Sequence, residues 1–209
     1  MRLHKKIILF GGSFDPIHTG HLRVAHHAMG ELAADEAIFI PARRSPHKSE
    51  MPTPGGHRFA MIAKTIDGFD GFSVSDCELR RSEPSYTLDT VRFFRKQFGD
   101  DVILHWLIGA DQLGDLEKWY CVGDLLNECR ISVMVRAGYS LPDFNRFRGL
   151  FSLACVEQLE GDIVRTPRID LSSTEIRRQL SCGGVPPDAL PTGVLQYIQQ
   201  HHLYSCDKR

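Results

Sequence analysis

Two histidines, His18 and His21, lie three residues apart in the segment GGSFDPIHTGH at residues 11–21. At the start of a helix this spacing places both imidazoles on one face, where they can contact the same anion. The glycines before them let the backbone approach a polyphosphate without a β-carbon in the way, and Gly20 keeps the space between the imidazoles open. Two imidazole N–H donors beside a helix N-terminus suit phosphoryl transfer, because in that reaction the protein mainly positions the reactants and stabilises charge on their oxygens. The segment therefore predicts a nucleotide site; the alternative is a helix cap beside a surface histidine.

The sequence on both sides of this segment favours the nucleotide site. An apolar run at residues 7–10 predicts a buried strand, and Leu22, Ala25, Ala28 and Leu32 follow at helical spacing. A strand, a glycine-containing turn and a helix in succession form the context in which a helix N-terminus binds phosphate. The glycine pattern matches neither a Walker loop nor the Rossmann fingerprint.

A second strand is predicted at residues 36–41, directly after the first helix. A connection of this length makes the two strands parallel and the crossover right-handed. We therefore predict an α/β fold with a doubly wound parallel sheet. The further strands are predicted at residues 72–79, 102–108 and 130–136. Helices are predicted at 57–66, from 85–90 onward, at 112–116, after Ser172 or Ser173 as N-cap, and, as an amphipathic helix, at 191–198. The helix at 57–66 and the strand at 72–79 are interpreted as scaffold, and residues 137–149 as a variable loop.

The length and charge of the chain restrict the classes of protein to which it can belong. It has 209 residues, which suits one domain, and a formal net charge of −1, which gives no support for a general nucleic-acid or anionic-membrane surface. No apolar run reaches the ~20 residues of a membrane-spanning helix. The six cysteines are scattered without a Cys-x-x-Cys pair. We expect a cytoplasmic protein with reduced cysteines, whose partners are neither nucleic acid nor membrane.

The stretch around HTGH at residues 18–21 resembles the signature of the nucleotidylyltransferase superfamily, and the longer segment at residues 11–21 resembles bacterial nicotinate-nucleotide adenylyltransferases. The resemblance implies a Rossmann-like nucleotidylyltransferase fold as a single domain over residues 1–209, with C-terminal helices at approximately residues 172–204 packed on the sheet. It also implies transfer of the adenylyl group of ATP to nicotinate mononucleotide, giving deamido-NAD (nicotinate adenine dinucleotide) and pyrophosphate in NAD biosynthesis. The implied cofactor is Mg²⁺ carried mainly by the ATP phosphates, and no metal site in the protein is expected.

Four further segments resemble motifs of the same family, in the family's order. PHK at residues 46–48 resembles the end of a Pro-Pro-His-Lys segment, with serine in place of the first proline. SYTLDT at residues 85–90 resembles a segment whose backbone helps to hold the nicotinate carboxylate. IGAD at residues 108–111, followed by Trp119, resembles a pattern whose aromatic ring stacks on the pyridine ring. LSSTEIR at residues 171–177 resembles the segment that closes over the ATP triphosphate.

The resemblance implies a role for each matching position. The residues implied to be catalytic are His18, His21 and Arg177. The residues implied to bind ATP are Gly11, Gly12, Ser13, Phe14, His18, Gly20, His21, Gly109, Asp111, Ser172, Ser173, Thr174 and Arg177. The residues implied to bind nicotinate mononucleotide are His47, Lys48, Tyr86, Thr87, Trp119 and Tyr120.

Several alternatives stay open at the level of the sequence. Thr87 and Asp111 each suit a helix cap as well as a ligand contact. Arg43 and Arg44 depart from the asparagine-bearing segment that the family has in this region, so its contact with the pyridine nucleotide is not expected here. The alternative functions are a related adenylyltransferase acting on nicotinamide mononucleotide or phosphopantetheine, and a non-catalytic nucleotide-binding module. A homo-oligomer is as compatible with the sequence as a monomer.

Overall fold

A six-stranded sheet, in which every strand is parallel to its neighbours, forms the centre of the molecule. The computed structural model describes residues 4–44, 51–136, 143–167, 169–184 and 187–205. The strands of the sheet are β1 (Lys6–Gly12), β2 (Glu36–Pro41), β3 (Phe72–Val74), β4 (Ile103–Gly109), β5 (Arg130–Arg136) and β6 (Ile163–Thr166), in the spatial order β3-β2-β1-β4-β5-β6.

Helices connect the strands and cover the sheet. They are α1 (Thr19–Leu32), α2 (Gly55–Ile66), α3 (Thr87–Phe98), α4 (Ala110–Leu113), α5 (Val122–Glu128), α6 (Leu153–Gly161), α7 (Ser173–Ser181) and α8 (Thr192–Gln200). No helix of the described ranges is both long enough and apolar enough to cross a membrane.

Alternate residues of β1 face opposite sides of the sheet, as the two-residue period of a strand requires. Ile7 and Leu9 belong to a buried cluster with residues of α3, α5 and α6, whereas Ile8 and Phe10 belong to a cluster with residues of α1, α2 and α8. Because helices cover both faces, the central strands are buried on both sides and read as continuous apolar runs. The predicted doubly wound parallel sheet, with a Rossmann-like arrangement of helices, is confirmed.

The strand order reverses between β1 and β4. The chain runs outward from β1 through β2 to β3, returns to the other side of β1 as β4, and then continues outward to β5 and β6. Open parallel sheets bind their ligands at the carboxyl ends of the strands, where this reversal opens a crevice. Gly11 and Gly12 end β1 and Gly109 ends β4, so two of the predicted motifs lie at this crevice.

The predicted strand at residues 72–79 is wrong beyond Val74. β3 is an edge strand, and its three residues pair with residues 37–39 of β2. The chain then turns, with Cys77 and Glu78 buried. Alternation of polar and apolar residues predicts burial, but a strand also needs a partner to pair with, and in this register β2, which ends at Pro41, offers none to residues 77–79.

Other boundaries also differ from the prediction. The helix predicted at 112–116 is replaced by α4 and a short 3₁₀ helix at Leu116–Lys118. In the predicted loop at 137–149, residues 137–142 lie outside the described ranges, and the remainder contains a 3₁₀ helix at Phe144–Phe147 whose end residues are both buried. α5, α6 and β6 were not predicted from the sequence.

Candidate active site

Aromatic packing supports the turn between β1 and α1. Phe14 has a left-handed backbone conformation with φ of +47°, and its buried ring lies 5.4 Å from that of Phe10 and 5.0 Å from that of His21, between centroids. A β-carbon on Gly12 would lie 3.0 Å from the Phe14 ring. Glycine at position 12 therefore allows the end of β1 to pass close to this ring on its way to His18.

The rings of His18 and His21 stack at the start of α1. Their centroids are 3.7 Å apart and their planes are inclined by 28°. The backbone N–H of His18 donates to Nδ1 of His21 at 3.2 Å, so a neutral His21 carries its proton on Nε2. The structure thus places the two imidazoles side by side, as their spacing predicted.

His18 is buried, and its Nδ1 has no hydrogen-bond partner within the part of the chain that the structure describes. Burial lowers the pKa of His18 from 6.5 to about 4, so the imidazole is neutral at pH 7. A β-carbon on Gly20 would lie 2.9 Å from this Nδ1 and 2.8 Å from the side chain of Ile169, so glycine keeps the ring accessible from that side. Since buried polar atoms nearly always have a partner, the unpartnered nitrogen is suited to a polar atom of a ligand.

The start of α7 contacts the same turn from the other end of the chain. Nη1 of Arg177 donates to the carbonyl oxygen of Asp15 at 2.7 Å, and Oγ of Ser173 donates to the carbonyl oxygen of Pro16 at 3.0 Å. Ser172, one of the two serines predicted as N-cap, is the N-cap residue of α7, although its side chain makes no capping hydrogen bond. The N-termini of α1 and α7, each the positive end of a helix dipole, therefore flank one turn.

A cavity of about 430 Å³ lies beside this turn, at the carboxyl ends of β1 and β4. Its volume is within the range of small-molecule sites, roughly 300–1,000 Å³. The cavity joins the end of β1, the loop after β2, the start of α3 and the segment after β4. The residues that line it are Gly11, Gly12, Ser13, Ala42, Glu78, Ser85, Tyr86, Thr87, Trp106, Asp111, Gln112, Asp115, Lys118, Trp119 and Tyr120.

Aromatic rings and the start of α3 form one side of the cavity. The rings of Tyr86 and Tyr120 stack with their centroids 4.5 Å apart and their planes inclined by 25°, and Trp119 lines the cavity next to them. Of the two alternatives for Thr87, the helix cap is excluded, because α3 begins at Thr87 and Tyr86 is the N-cap residue, without a side-chain capping bond. The N–H groups of the first helical turn are therefore suited to bind a carboxylate at the cavity.

Glu78 is a buried carboxyl group on the cavity wall. Its Oε1 accepts a hydrogen bond from Oγ1 of Thr90 at 2.6 Å, and Nη2 of Arg81 lies 3.7 Å from the same oxygen. Burial raises the pKa of Glu78, while the contacts with Thr90 and Arg81 oppose that shift. The network joins the loop before α3 to the helix itself. Glu78 therefore lies beyond β3 and not in the strand predicted at residues 72–79.

Arg43 and Arg44 connect the loop after β2 to the loop before α3. The backbone N–H of Arg43 donates to Oγ of Ser85 at 3.2 Å, and its Nη1 donates to the carbonyl oxygen of Arg81 at 2.8 Å. Each of the two arginines also lies 3.6 Å from the carboxylate of Glu83. Because these ion pairs are partly exposed, the pairing itself contributes little stability, about 0–1 kcal/mol.

Most of the predicted site residues lie at the cavity or at the adjacent turn. Those that line the cavity are Gly11, Gly12, Ser13, Tyr86, Thr87, Asp111, Trp119 and Tyr120. Those in the turn or in contact with it are Phe14, His18, Gly20, His21, Ser173 and Arg177. Gly109 ends β4, and Oδ1 of Asp111 occupies the space that a β-carbon of residue 109 would need. Asp111 is not a helix cap, since α4 begins at Ala110.

The remaining predicted residues lie elsewhere. Ser172 lines a second hollow, next to Ile169 and Asp170, and Thr174 is exposed. His47 and Lys48 lie outside the described residues, so their contacts stay predictions. Several cavity-lining residues were not predicted from the sequence. Of these, Trp106 had a usable signal, its place near the carboxyl end of a buried parallel strand. The described ranges contain no group of three or more His, Cys, Asp or Glu side chains that could hold a metal ion.

Comparison with known proteins gives consistent similarities over almost the whole chain. Residues 9–179 match the model of a family described as cytidylyltransferase-like. The chain is 38% identical over 200 residues to a protein of Neisseria gonorrhoeae named as a probable nicotinate-nucleotide adenylyltransferase, with 96% of this chain and 98% of that protein covered. A protein of the same name from Clostridium tetani is 36% identical over 204 residues, with 96% and 99% covered.

A solved structure shares the fold. It is the nicotinic acid mononucleotide adenylyltransferase of Plasmodium falciparum complexed with NaAD. It superposes with a TM-score of 0.73 at 21% identity and covers 96% of this chain and 98% of its own.

Proposed function

Because the chain belongs to the cytidylyltransferase-like family and, within it, to the nicotinate-nucleotide adenylyltransferases, we propose that it transfers the adenylyl group of ATP to nicotinate mononucleotide in NAD biosynthesis. An oxygen of the 5′-phosphate of nicotinate mononucleotide attacks the α-phosphorus of ATP. The bond between that phosphorus and the oxygen of the leaving pyrophosphate breaks. The products are nicotinate adenine dinucleotide and pyrophosphate.

The observation that carries the proposal is the meeting of two helix starts at one turn. Arg177 and Ser173 of α7 hydrogen-bond to the backbone carbonyls of Asp15 and Pro16, three and two residues before His18 at the start of α1. The cavity with Tyr86 and the neighbouring aromatic residues lies beside the same turn. A triphosphate bound between the two helix starts therefore has its α-phosphorus near a cavity that can hold a second nucleotide.

The proposed roles follow from this arrangement. The buried neutral His18 donates its N–H to a phosphate oxygen, and His21 assists from its stacked position. Arg177 supplies a guanidinium whose fork matches phosphate oxygens, with Ser173 and Thr174 at the triphosphate. These groups act by positioning the reactants and by stabilising charge on the transferring phosphoryl group.

The acceptor is proposed to occupy the cavity. Trp119 stacks on the pyridine ring, and the N–H groups at the start of α3, next to Tyr86 and Thr87, bind the nicotinate carboxylate. Because Tyr86 and Tyr120 stack on each other, the aromatic wall is preformed, and less conformational entropy is lost when the acceptor binds.

Mg²⁺ belongs to the proposal as an ion that enters with ATP. Its ligands are mainly phosphate oxygens and water, in keeping with the preference of Mg²⁺ for few protein ligands at nucleotide sites. We also propose that residues 1–209 form one nucleotidylyltransferase domain. The cytoplasmic location stays a prediction.

The test is release of pyrophosphate from ATP and Mg²⁺ with nicotinate mononucleotide, nicotinamide mononucleotide and phosphopantetheine supplied separately. We expect a strong preference for nicotinate mononucleotide in kcat/KM. A preference for either other acceptor would overturn the assignment of the cavity to a pyridine carboxylate. Binding of ATP without pyrophosphate release from any of the three would indicate a non-catalytic nucleotide-binding module.

A further inference from the structure

The C-terminal segment of the chain reaches the turn that precedes His18. The phenol O–H of Tyr204 donates to Oδ1 of Asp15 at 2.6 Å, across 189 positions of sequence. Asp15 is buried, with 8% of its surface exposed, and burial raises the pKa of Tyr204, so the phenol keeps its proton at neutral pH. The hydrogen bond therefore joins a phenol to a carboxyl group with little access to water.

The other oxygen of the same carboxyl group is also bound. Oδ2 of Asp15 accepts from the backbone N–H of Thr53 at 3.2 Å. The almost fully buried guanidinium of Arg58 donates to the carbonyl oxygens of Thr53 at 2.7 Å and Ser13 at 2.8 Å. Arg58 thus fixes the segment before α2 against the turn, and its charge is balanced by Asp15 in the same buried region.

The main chain of Asp15 has a separate partner in the proposed active site. Its carbonyl oxygen accepts from Arg177 at 2.7 Å, while its side chain accepts from Tyr204. Asp15 therefore carries the acceptor of Arg177 on its main chain and the contact with the C-terminal segment on its side chain, three residues before His18. The two bonds couple the C-terminal segment to both predicted phosphate-binding groups.

Tyr204 is itself held in place by its surroundings. It follows α8, is half-buried, and packs with Leu203 against the apolar cluster that includes Val194 and Ile198. Its φ is +60°, in the left-handed region that residues other than glycine seldom adopt. Such a conformation persists where neighbouring contacts determine it.

We propose that Tyr204 is a positioning residue for adenylyl transfer, which through Asp15 fixes the orientation of the turn that Arg177 and His18 share. This inference rests on the proposed function. Loss of the phenol hydroxyl lets Asp15 rotate, and the resulting misalignment of the phosphate-binding groups lowers kcat about ten-fold, since a 1 Å misplacement can cost a hundred-fold. The KM for nicotinate mononucleotide changes less than about two-fold, because the cavity wall is built from other elements.

The experiment compares Tyr204→Phe with Tyr197→Phe in the full-length protein. Tyr197 is a matched control on α8, half-buried, with its hydroxyl 3.0 Å from Nδ1 of His57 and without a contact to Asp15. We expect similar shifts in Tm for the two variants, and a lower kcat for Tyr204→Phe only. Asp15→Ala and the double variant Asp15→Ala/Tyr204→Phe complete a cycle, in which kcat of the double variant should be no lower than that of Asp15→Ala.

Amide hydrogen exchange provides a readout that does not depend on the substrate. Peptides covering residues 12–21 should exchange faster in Tyr204→Phe than in Tyr197→Phe, because the turn opens more readily. Equal hydrogen exchange or equal kcat in Tyr204→Phe and Tyr197→Phe would each overturn the inference. So would a double variant in which the kcat losses of Asp15→Ala and Tyr204→Phe simply multiply. A wild-type protein inactive with nicotinate mononucleotide would instead overturn the proposed acceptor, and the exchange comparison would still decide the role of Tyr204.

Discussion

The indole ring of Trp106 lies so close to Gly11 that a β-carbon on residue 11 would stand 2.5 Å from Cζ2 of the ring. Trp106 pairs with Leu9 in the neighbouring strand, and its side chain extends toward the carboxyl edge of the sheet on the same face as Gly11. The absence of a side chain at Gly11 thus leaves room for a core aromatic ring as well as for the approach of a ligand.

Gly11→Ala should lower the free energy of unfolding by about 1–3 kcal/mol, because an inserted methyl group in a packed region forces its neighbours to move. Urea unfolding measures this. Gly30→Ala on α1 is the control, because among the described residues no heavy atom other than those of its chain neighbours and its own helix backbone lies within 4 Å of the added carbon. This variant should stabilise the protein by roughly 0.5–1 kcal/mol. The double variant Gly11→Ala/Trp106→Phe should regain part of the free energy of unfolding that Gly11→Ala loses. Wild-type stability of Gly11→Ala would show that the ring is free to move.

His18→Ala should reduce kcat about a hundred-fold with little change in either KM, because the lost hydrogen bond strengthens as charge develops on the phosphoryl oxygens. Pyrophosphate release measures both parameters. His26→Ala is the control, since His26 is exposed on the same helix and should retain wild-type kcat. An unchanged kcat for His18→Ala would exclude the proposed role.

Trp119→Ala should raise the KM for nicotinate mononucleotide about ten-fold and leave the KM for ATP within about two-fold, because the stacked ring contributes roughly 1 kcal/mol or more to binding of one substrate only. Initial rates with each substrate varied in turn separate the two constants. A larger effect on ATP would place the adenine, instead of the pyridine, against this indole.

The free energy of unfolding should fall as the pH is lowered from about 6.5 to about 4. Burial lowers the pKa of both His18 and His105 from 6.5 to about 4, so in this window the unfolded chain binds protons that the folded chain does not. The stability present above pH 6.5 is therefore lost on acidification, by up to about 3 kcal/mol for each histidine.

Urea unfolding at several pH values tests this dependence in the wild type and in His105→Gln. His105 lies away from the proposed site, with its Nδ1 2.9 Å from Oγ of Ser132. The free energy of unfolding of His105→Gln should fall less between pH 6.5 and pH 4 than that of the wild type, whatever its value at pH 7. Parallel curves for the two proteins would mean that His105 does not titrate in this window.

Features that depend on neighbours in the sequence were predictable. The apolar run, the two glycines and the helical spacing after His21 determine a strand, a turn and a helix, because these elements form from contacts within a few residues. The start of α7 was predicted for the same reason, whereas the place of Trp119 at the site was implied only by the resemblance to the family. Their meeting at one edge followed from parallel strands, whose carboxyl ends lie together.

Only the tertiary structure decided which other side chains complete the site. Trp106 reaches Gly11 through the register of β1 and β4, Glu78 faces the cavity because the chain turns after the short edge strand β3, and Tyr204 binds Asp15 from the far end of the chain. Hydrophobic periodicity in the sequence indicates which face of a helix or strand is buried. The partner on that face depends on strand order, register and the packing of α8, which are properties of the whole chain.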